Sequence, residues 1–121
     1  MINVYLDDLR DIPDGFIGAR NADICKFLLL NNQVEYLSLD HDLGVDEFGK
    51  LVETGYDLVK WICEYYFELK LNIKNIYLHT DNNVGRDNMY ETLLASKRRG
   101  FLPEEINIYY YPLVKNKYTD K

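Results

Sequence analysis

Three short apolar segments of the sequence each end on side chains that can bind a metal ion or transfer a proton. The segments span residues 4–6, 34–39 and 76–78, and the polar groups that follow them are Asp7 and Asp8, then Asp40, His41 and Asp42, then His79, Thr80 and Asp81. Carboxylates and imidazoles bind divalent cations and act as general acids and bases. Three such clusters, each placed where an apolar run stops, indicate one site that is assembled from the ends of several strands.

The first and second clusters together predict a metal site made of Asp7, Asp8, Asp40 and Asp42. Neighbouring strands lie about 4.8 Å apart, so carboxylates at the ends of adjacent strands crowd together and repel one another. A hard divalent cation, Mg²⁺ or Mn²⁺, relieves this repulsion and keeps coordinated waters that a phosphate ligand can replace. The alternative for Asp8 and Asp42 is a solvated loop residue or a turn cap, because alternate residues of a strand point in opposite directions. Arg10 is predicted to pair with Asp7 and to steady the first strand end.

His41 and His79 are the only histidines of the chain, and both belong to these clusters. We predict that each acts as a general acid or base on a phosphate ester, since imidazole titrates near neutral pH. The alternative for each histidine is a structural role, in which the ring hydrogen-bonds a carboxylate and orients it.

The third cluster leads within a few residues into the start of a helix near Val84. Free backbone N–H groups at a helix N-terminus favour an anion, and the absence of a side chain at Gly85 permits a close approach. The planar guanidinium of Arg86 suits a phosphate group. This cluster therefore predicts a phosphate-binding site. The alternative is that Asn82 caps the helix and that Arg86 pairs with an acidic neighbour.

Between these clusters the sequence alternates between strand-like and helix-like apolar periodicity. The four predicted strands cover residues 2–6, 34–39, 75–79 and 106–110, the predicted helices lie within 21–32, 54–69 and 84–99, and residues 10–19 are predicted to form a loop. Such alternation predicts an α/β fold with right-handed crossovers and a mostly parallel sheet of about four strands. Ligands of open parallel sheets bind outside the carboxyl ends of the strands, which is where all three clusters lie.

Length and composition indicate one ordinary globular domain over residues 1–121, with a tail at residues 115–121 that is expected to be frayed. The formal charge of −6 repels a phosphate backbone over most of the surface, so we expect no general nucleic-acid-binding surface. Cys25 and Cys63 lie in helical patterns without metal-ligand spacing and are predicted to be reduced core residues. No apolar run approaches the roughly 20 residues of a membrane span, and no leader is visible. We therefore expect a cytoplasmic protein without a membrane anchor.

Four motifs, in this order along the chain, resemble those of the cyclic-phosphate processing receiver-like domains. They are Leu6-Asp7-Asp8-Leu9-Arg10, Leu39-Asp40-His41-Asp42-Leu43-Gly44, Gly55-Tyr56-Asp57 and His79-x-x-Asn82-x-x-Gly85-Arg86-x-Asn88-Met89. The resemblance covers residues 2 to about 95 and departs from the family pattern at Thr80, where a serine is expected. It implies a compact receiver-like (flavodoxin-like) three-layer fold with one strand–helix unit fewer than a full receiver.

The resemblance also implies roles for single residues. Asp7 and Asp8 correspond to the metal-binding acidic pair, Asp40 to the phospho-accepting aspartate and Thr80 to the hydroxyl residue of a receiver. The residues that an ordinary receiver lacks are the two histidines, Asn82, Arg86 and Asn88. Together with the helix-start argument, this gives a set of expected phosphate-binding residues: Thr80, Asn82, Gly85, Arg86 and Asn88.

Three functions remain open from the sequence. The first is a Mg²⁺- or Mn²⁺-dependent phosphoesterase that acts on cyclic phosphates of nucleotides or RNA ends, with Asp40, His41 and His79 as catalytic residues and Asp40 as an alternative nucleophile. The second is a receiver-type switch that is phosphorylated on Asp40; against it, no lysine follows the last predicted strand before Lys115. The third is a non-catalytic module that binds a phosphorylated nucleotide. No oligomeric state is predicted.

Overall fold

Five parallel strands and three helices make up the part of the chain that the computed structural model describes, residues 1–112. The strands are β1 (Ile2–Leu6), β2 (Ile17–Ala19), β3 (Val34–Leu39), β4 (Ile73–Leu78) and β5 (Asn107–Tyr109), and the helices are α1 (Ala22–Asn31), α2 (Gly55–Tyr65) and α3 (Asn83–Arg98). The strands lie in the order β2-β1-β3-β4-β5, and each neighbouring pair is parallel. The predicted receiver-like α/β class and the parallel sheet are confirmed.

The sheet has five strands rather than the four predicted, because residues 17–19 form β2 at one edge. The sequence predicted a loop there, but β2 pairs in parallel with residues 4–6 of β1. A strand of three residues is too short to show an alternating pattern, and a glycine at its centre weakens the strand signal further. This element therefore depends on a tertiary contact that periodicity does not reveal.

All three helices pack on one face of the sheet. The chain passes from β2 to β3, to β4 and to β5 in a constant direction across the sheet, and right-handed crossovers in one direction place their helices on the same side. In agreement, α1 contacts α2 and α2 contacts α3. Residues 1–112 thus form two layers, and the third layer expected from the resemblance is not formed within this range, since residues 7–16 connect β1 to β2 without a helix.

The strand pleat separates an apolar face from a polar one. The residues that face the helices are fully buried leucines, isoleucine and valine: Val4 and Leu6 of β1, Leu37 and Leu39 of β3, and Ile76 and Leu78 of β4. The intervening residues, Tyr5, Ser38 and Tyr77, point to the opposite face, because strand side chains alternate with period two. Continuing the same alternation beyond the strand ends places Asp7, Asp40 and His79 on this opposite face.

Helix α2 is shorter than the sequence predicted. It ends at Tyr65, whereas the apolar spacing continued to Leu69. The chain turns over the next residues and reaches Lys70, whose φ of 55° lies in the left-handed region and cannot continue a right-handed helix.

Helix α1 buries only one of its apolar sides. Ile24, Phe27 and Leu30 are exposed, while Cys25 and Leu29 are buried. Because α1 is apolar around most of its circumference, periodicity alone does not select the buried face.

Three further expectations concern the rest of the chain. Both cysteines are buried free thiols, as predicted. Within residues 1–112, no helix combines the length and the apolar character that a membrane crossing requires. The tail at residues 115–121, including Lys115, lies outside the described residues.

Candidate functional site

Register across the three central strands places the predicted polar clusters side by side. The last residues of β1, β3 and β4 are in register with one another. The ladder continues for one more step, because the N–H groups of Asp40 and His79 donate to the carbonyls that end β1 and β3, at 3.0 Å each. Asp7, Asp40 and His79 therefore form a row across the carboxyl end of the sheet.

Asp7, Asp8 and Asp40 form a cluster of carboxylates that we call the acidic triad. One oxygen of each residue lies within 4.8 Å of the others. Asp7 is fully buried and Asp40 is 6% exposed, whereas Asp8 is half-buried. Asp42, the fourth predicted metal ligand, is not part of the triad, because its carboxylate turns toward His41.

Asp7 is the best-supported member of the triad. Its Oδ1 accepts backbone hydrogen bonds from Leu9 and Arg10, both at 2.9 Å. Its Oδ2 accepts from the Arg10 guanidinium at 2.8 Å and from His79 Nε2 at 3.0 Å. Burial alone raises the pKa of Asp7, but the hydrogen bonds from His79 and Arg10 outweigh it and hold the pKa well below its usual range. Asp7 is therefore an ionised and rigidly oriented carboxylate at neutral pH.

Asp40 and Asp8 are in the opposite electrostatic situation. Burial raises the pKa of Asp40; the negative charge of Asp7 raises it further, and a hydrogen bond from Thr80 lowers it only in part. Burial also raises the pKa of Asp8, with a further contribution from the charge of Asp7. Carboxylates behave in this way when burial and a neighbouring negative charge are not offset by enough positive charge.

Arg10 is the cation at the centre of the site. It is 8% exposed, and its guanidinium contacts Asp7 at 2.8 Å, Asp40 at 3.4 Å and Asp81 at 2.6 Å. Arg20 supports this loop by donating to the carbonyl oxygens of Asp7 and Arg10. The predicted pair with Asp7 is present, but no pattern in the sequence indicated that Arg10 reaches Asp40 and Asp81, since those contacts depend on strand order.

His79 lies beneath the triad rather than at its surface. The ring is 0% exposed and stacks on Tyr5 with centroids 4.1 Å apart. Nε2 contacts Asp7 at 3.0 Å and Nδ1 contacts the Ser38 hydroxyl at 2.7 Å. Because an ionised carboxylate can only accept, Nε2 carries a proton, and in the neutral ring Nδ1 accepts from Ser38. This geometry matches the orienting role that the sequence left open for His79.

His41 lies at the rim, next to Asp42 and Asn82. Its Nδ1 contacts Asp42 Oδ1 at 3.0 Å, and the Asn82 amide donates to Asp42 Oδ2 at 3.2 Å. The hydrogen bond from His41 holds the pKa of Asp42 below its usual range. Asp42 is thus engaged with His41 and Asn82, which accounts for its absence from the triad.

The N-terminus of α3 is closed by its own neighbours. Asn82 caps the helix by accepting a hydrogen bond from the Gly85 N–H at 2.8 Å. This is the alternative role that the sequence indicated for Asn82. The Arg86 guanidinium donates to the Thr80 carbonyl and lies over the ring of Tyr110, 5.1 Å from its centroid. Neither Gly85 nor Arg86 lines the cleft beside the triad.

Asn88 is exposed on α3 and does not line the cleft either. Of the five expected phosphate-binding residues, Thr80 and Asn82 do line it. The structure therefore brings together the triad, Thr80 and Asn82, with His41 adjacent, and leaves the α3 residues outside.

The triad opens into a cleft of about 420 Å³. Its lining residues are Asp7, Asp8, Leu9, Arg10, Asp40, Asp42, Gly44, Thr80, Asp81 and Asn82. Five carboxylates and one guanidinium give this lining a formal charge of −4 when all are ionised. A hollow of about 510 Å³ near the other end of α3, lined among others by Lys97 and Leu102, contains none of the predicted site residues.

Comparison with known proteins identifies the family of the chain. The profile of the family described as "Cyclic-phosphate processing Receiver domain" matches residues 2–95. A curated relative, the adenosylcobinamide-GDP ribazoletransferase of Chlorobaculum parvum (strain DSM 263 / NCIMB 8327), is 35% identical over 60 residues, which is 50% of this chain and 19% of that protein. The chain thus spans about a fifth of the length of that relative. No solved structure matches. Since the family match covers most of the chain and every site residue described above, the chain belongs to the cyclic-phosphate processing receiver domain family, and its role is related to cyclic-phosphate processing.

Proposed function

We propose that this protein is a divalent-metal-dependent phosphoesterase that opens a cyclic phosphate carried by a nucleotide or an RNA end. The observation that carries this proposal is the acidic triad, in which three carboxylates converge within 4.8 Å at the mouth of a cleft with a formal charge of −4. A phosphate cannot enter such a cleft without added positive charge, since like charges in a partly buried site repel strongly.

The donor set fits a hard cation. Mg²⁺ and Mn²⁺ prefer oxygen ligands, and Mg²⁺ is commonly bound through one or two carboxylates and completed by water or phosphate. Asp7 is held ionised by Arg10 and His79, while burial and the charge of Asp7 raise the pKa values of Asp8 and Asp40, which nearby positive charge does not offset. Asp7, Asp8 and Asp40 would hold the ion, which when bound supplies Lewis-acid polarisation of the phosphoryl oxygens.

The remaining residues supply orientation and proton transfer. Arg10 is the cation among the lining residues and would donate hydrogen bonds to non-bridging phosphate oxygens. Thr80 is buried at the cleft wall, where its hydroxyl hydrogen-bonds Asp40 and would support that carboxylate. His41 would accept a proton from the attacking water as the new P–O bond forms. It would return that proton to the leaving ribose oxygen as the ring P–O bond breaks, giving a phosphomonoester. His79 would act through Asp7, as a positioning residue.

The test uses purified protein with 2′,3′-cyclic nucleotides in the presence of Mg²⁺, Mn²⁺ or EDTA, followed by separation of the monophosphate products. We expect turnover with metal, none with EDTA, and none for Asp40→Asn. Asp14→Asn is the matched control, because it makes the same charge change at an exposed residue outside the cleft. Absence of turnover in the wild type with either metal overturns the proposal.

A binding module is the second candidate, and the burial of His79 is the observation that favours it. With His79 enclosed, only one histidine is left beside the cleft for proton transfer. Calorimetry with the same cyclic nucleotides and Mg²⁺ separates the two functions. Tight binding that survives His41→Ala, with no product in any sample, identifies the protein as a binding module.

A further inference from the structure

We propose that Asp42, Asn82 and Gly85 form a seat for His41 that holds the ring with its proton on Nδ1 and presents Nε2 as the atom that exchanges a proton with the substrate. This inference rests on the proposed function and deepens it, since it assigns roles to three residues that otherwise have none in the reaction. Asp42, Asn82 and Gly85 are positioning residues in this scheme, because they act through His41.

Asp42 sets the tautomer. The Asp42 carboxylate lies 3.0 Å from His41 Nδ1, and a carboxylate can only accept, so Nδ1 must be the protonated nitrogen. Within residues 1–112, His41 Nε2 has no hydrogen bond to another residue, whereas His79 uses both of its ring nitrogens. The His41 side chain is 16% exposed, and both Asp42 and Asn82 line the cleft, so the ring stands at the cleft rim.

Asn82 links the seat to the start of α3. Its Oδ1 is fixed by the Gly85 N–H at 2.8 Å, which turns the amide nitrogen toward Asp42 Oδ2 at 3.2 Å. The same nitrogen lies 3.4 Å from His41 Nδ1, a longer contact than the one between His41 and Asp42. Asn82, which caps α3, therefore orients the Asp42 carboxylate, and this carboxylate in turn orients the His41 ring.

Gly85 provides the space in which the ring lies. A Cβ at this position would lie 2.5 Å from His41 Cγ and 2.9 Å from Nδ1, and it would lie closer still to Cδ2, well inside van der Waals contact. Gly85 lies in the first turn of α3, and alanine is the better residue in a regular helix. The packed imidazole, and not the backbone conformation, thus explains why this helix carries a glycine here.

The tautomer can be observed directly, because the chain has only two histidines. A long-range ¹H–¹⁵N NMR spectrum of the metal-free protein, recorded at a pH where both rings are neutral and assigned with His41→Ala, should show the proton on Nδ1 of His41 and on Nε2 of His79. Asp42→Asn should shift His41 toward the Nε2-protonated form that a free imidazole prefers, and the loop control Asp46→Asn should not. A His41 protonated on Nε2 in the wild type, or unaffected by Asp42→Asn, overturns the proposal.

The space at Gly85 is tested by a thermal-denaturation cycle of Gly85→Ala, His41→Ala and the double variant. Gly85→Ala should lower Tm by several degrees in the wild type, because the added methyl group displaces the ring. In the His41→Ala background the same substitution should leave Tm unchanged or raise it. An equal decrease in Tm in both backgrounds shows that Gly85 does not make room for the His41 ring. This result overturns the inclusion of Gly85 among the residues that position His41.

Kinetics complete the test and separate it from the fate of the proposed function. Asp42→Ala should lower kcat at least tenfold with little change in KM, and it should have no further effect in the His41→Ala background. A full additional loss in that background overturns the coupling between the two residues. If the wild type turns over no cyclic nucleotide, the proposed function fails, while the NMR and Tm results still decide whether the seat exists.

Discussion

Replacing Asp7 by asparagine removes one negative charge from the most buried carboxylate of the triad and keeps the size of the side chain. The oxygen of the introduced amide can still accept the backbone hydrogen bonds that Leu9 and Arg10 donate to Oδ1 of Asp7. The amide nitrogen would, however, face two further donors, the Arg10 guanidinium and His79 Nε2. Two charge-assisted hydrogen bonds are lost, and the guanidinium keeps its buried charge with fewer acceptors.

We expect Asp7→Asn to lower the free energy of unfolding by about 3–5 kcal/mol at pH 7, the cost typical of breaking a buried ion pair by removing one partner. Relief of repulsion with Asp8 and Asp40 offsets part of this loss. A loss of this size is a large share of the roughly 5–15 kcal/mol that stabilises an ordinary domain. Urea denaturation in EDTA, followed by circular dichroism, measures it, with Asp14→Asn as the control.

The pH dependence gives a second, independent check. The pKa of Asp7 is lower in the folded protein than in the unfolded chain, so the unfolded state binds the proton first as the pH falls. The stabilisation by Asp7 is therefore fully present above the unfolded pKa of about 3.9 and is lost progressively below it. The difference between wild type and Asp7→Asn should be constant from about pH 6 to 8 and shrink below about pH 4. A variant within about 0.5 kcal/mol of wild type at pH 7, or a difference that persists unchanged into acid, refutes this account of Asp7.

Three further predictions follow from the same contacts. Asp40→Asn should raise the free energy of unfolding of the metal-free protein by about 1 kcal/mol in urea denaturation, because it removes a charge that burial and Asp7 disfavour. A decrease of more than about 1 kcal/mol in this free energy contradicts the repulsion argument. His79→Phe, which keeps a ring against Tyr5 but leaves Asp7 and Ser38 without their partner, should cost about 2–3 kcal/mol in the same assay, and a neutral effect would show that His79 does not support Asp7. Saturating Mg²⁺ or Mn²⁺ should stabilise the wild type by about 2.7 kcal/mol at roughly 100 times Kd and leave Asp40→Asn unchanged, as read by differential scanning calorimetry; an equal gain in both proteins places the metal elsewhere.

The position of the site followed from the sequence because two periodic rules act together. Strand alternation puts Asp7, Asp40 and His79 on one face, and parallel strands present their carboxyl ends at one edge. These rules require only that the strands be recognised, and β1, β3 and β4 each contain an apolar run that marks them. The edge strand β2 has three residues and a central glycine, so no comparable pattern marked it.

The roles of individual side chains were less accessible, because they depend on distances between elements. Gly85 and Arg86 lie at a helix start that follows a strand end, which is a position where anions are often bound. In the structure, however, the Asn82 side chain caps that helix and Arg86 lies over the ring of Tyr110. In the sequence, Arg10 has one evident partner, Asp7, at a spacing of three residues. Its contacts with Asp40 and Asp81 join separate strands and depend on strand order. Sequence periodicity states which residues share a face, and it does not state which of them touch.

The uneven support of the triad links the fold to the proposed chemistry. Sheet register brings the carboxylates of Asp7 and Asp40 together, with Asp8 beside them, although their negative charges repel one another. Only Asp7 receives enough hydrogen bonds to offset the cost of burying its charge. Arg10 and His79 both donate to Asp7, while Arg10 lies farther from Asp40, at 3.4 Å. A site built only for stability would gain from neutralising Asp8 and Asp40 as well, since relieving buried charge repulsion is a common route to stabilisation. The remaining negative charge is therefore a cost in the metal-free protein, and a divalent cation would convert it into binding energy, which is the physical basis of the function proposed for this site.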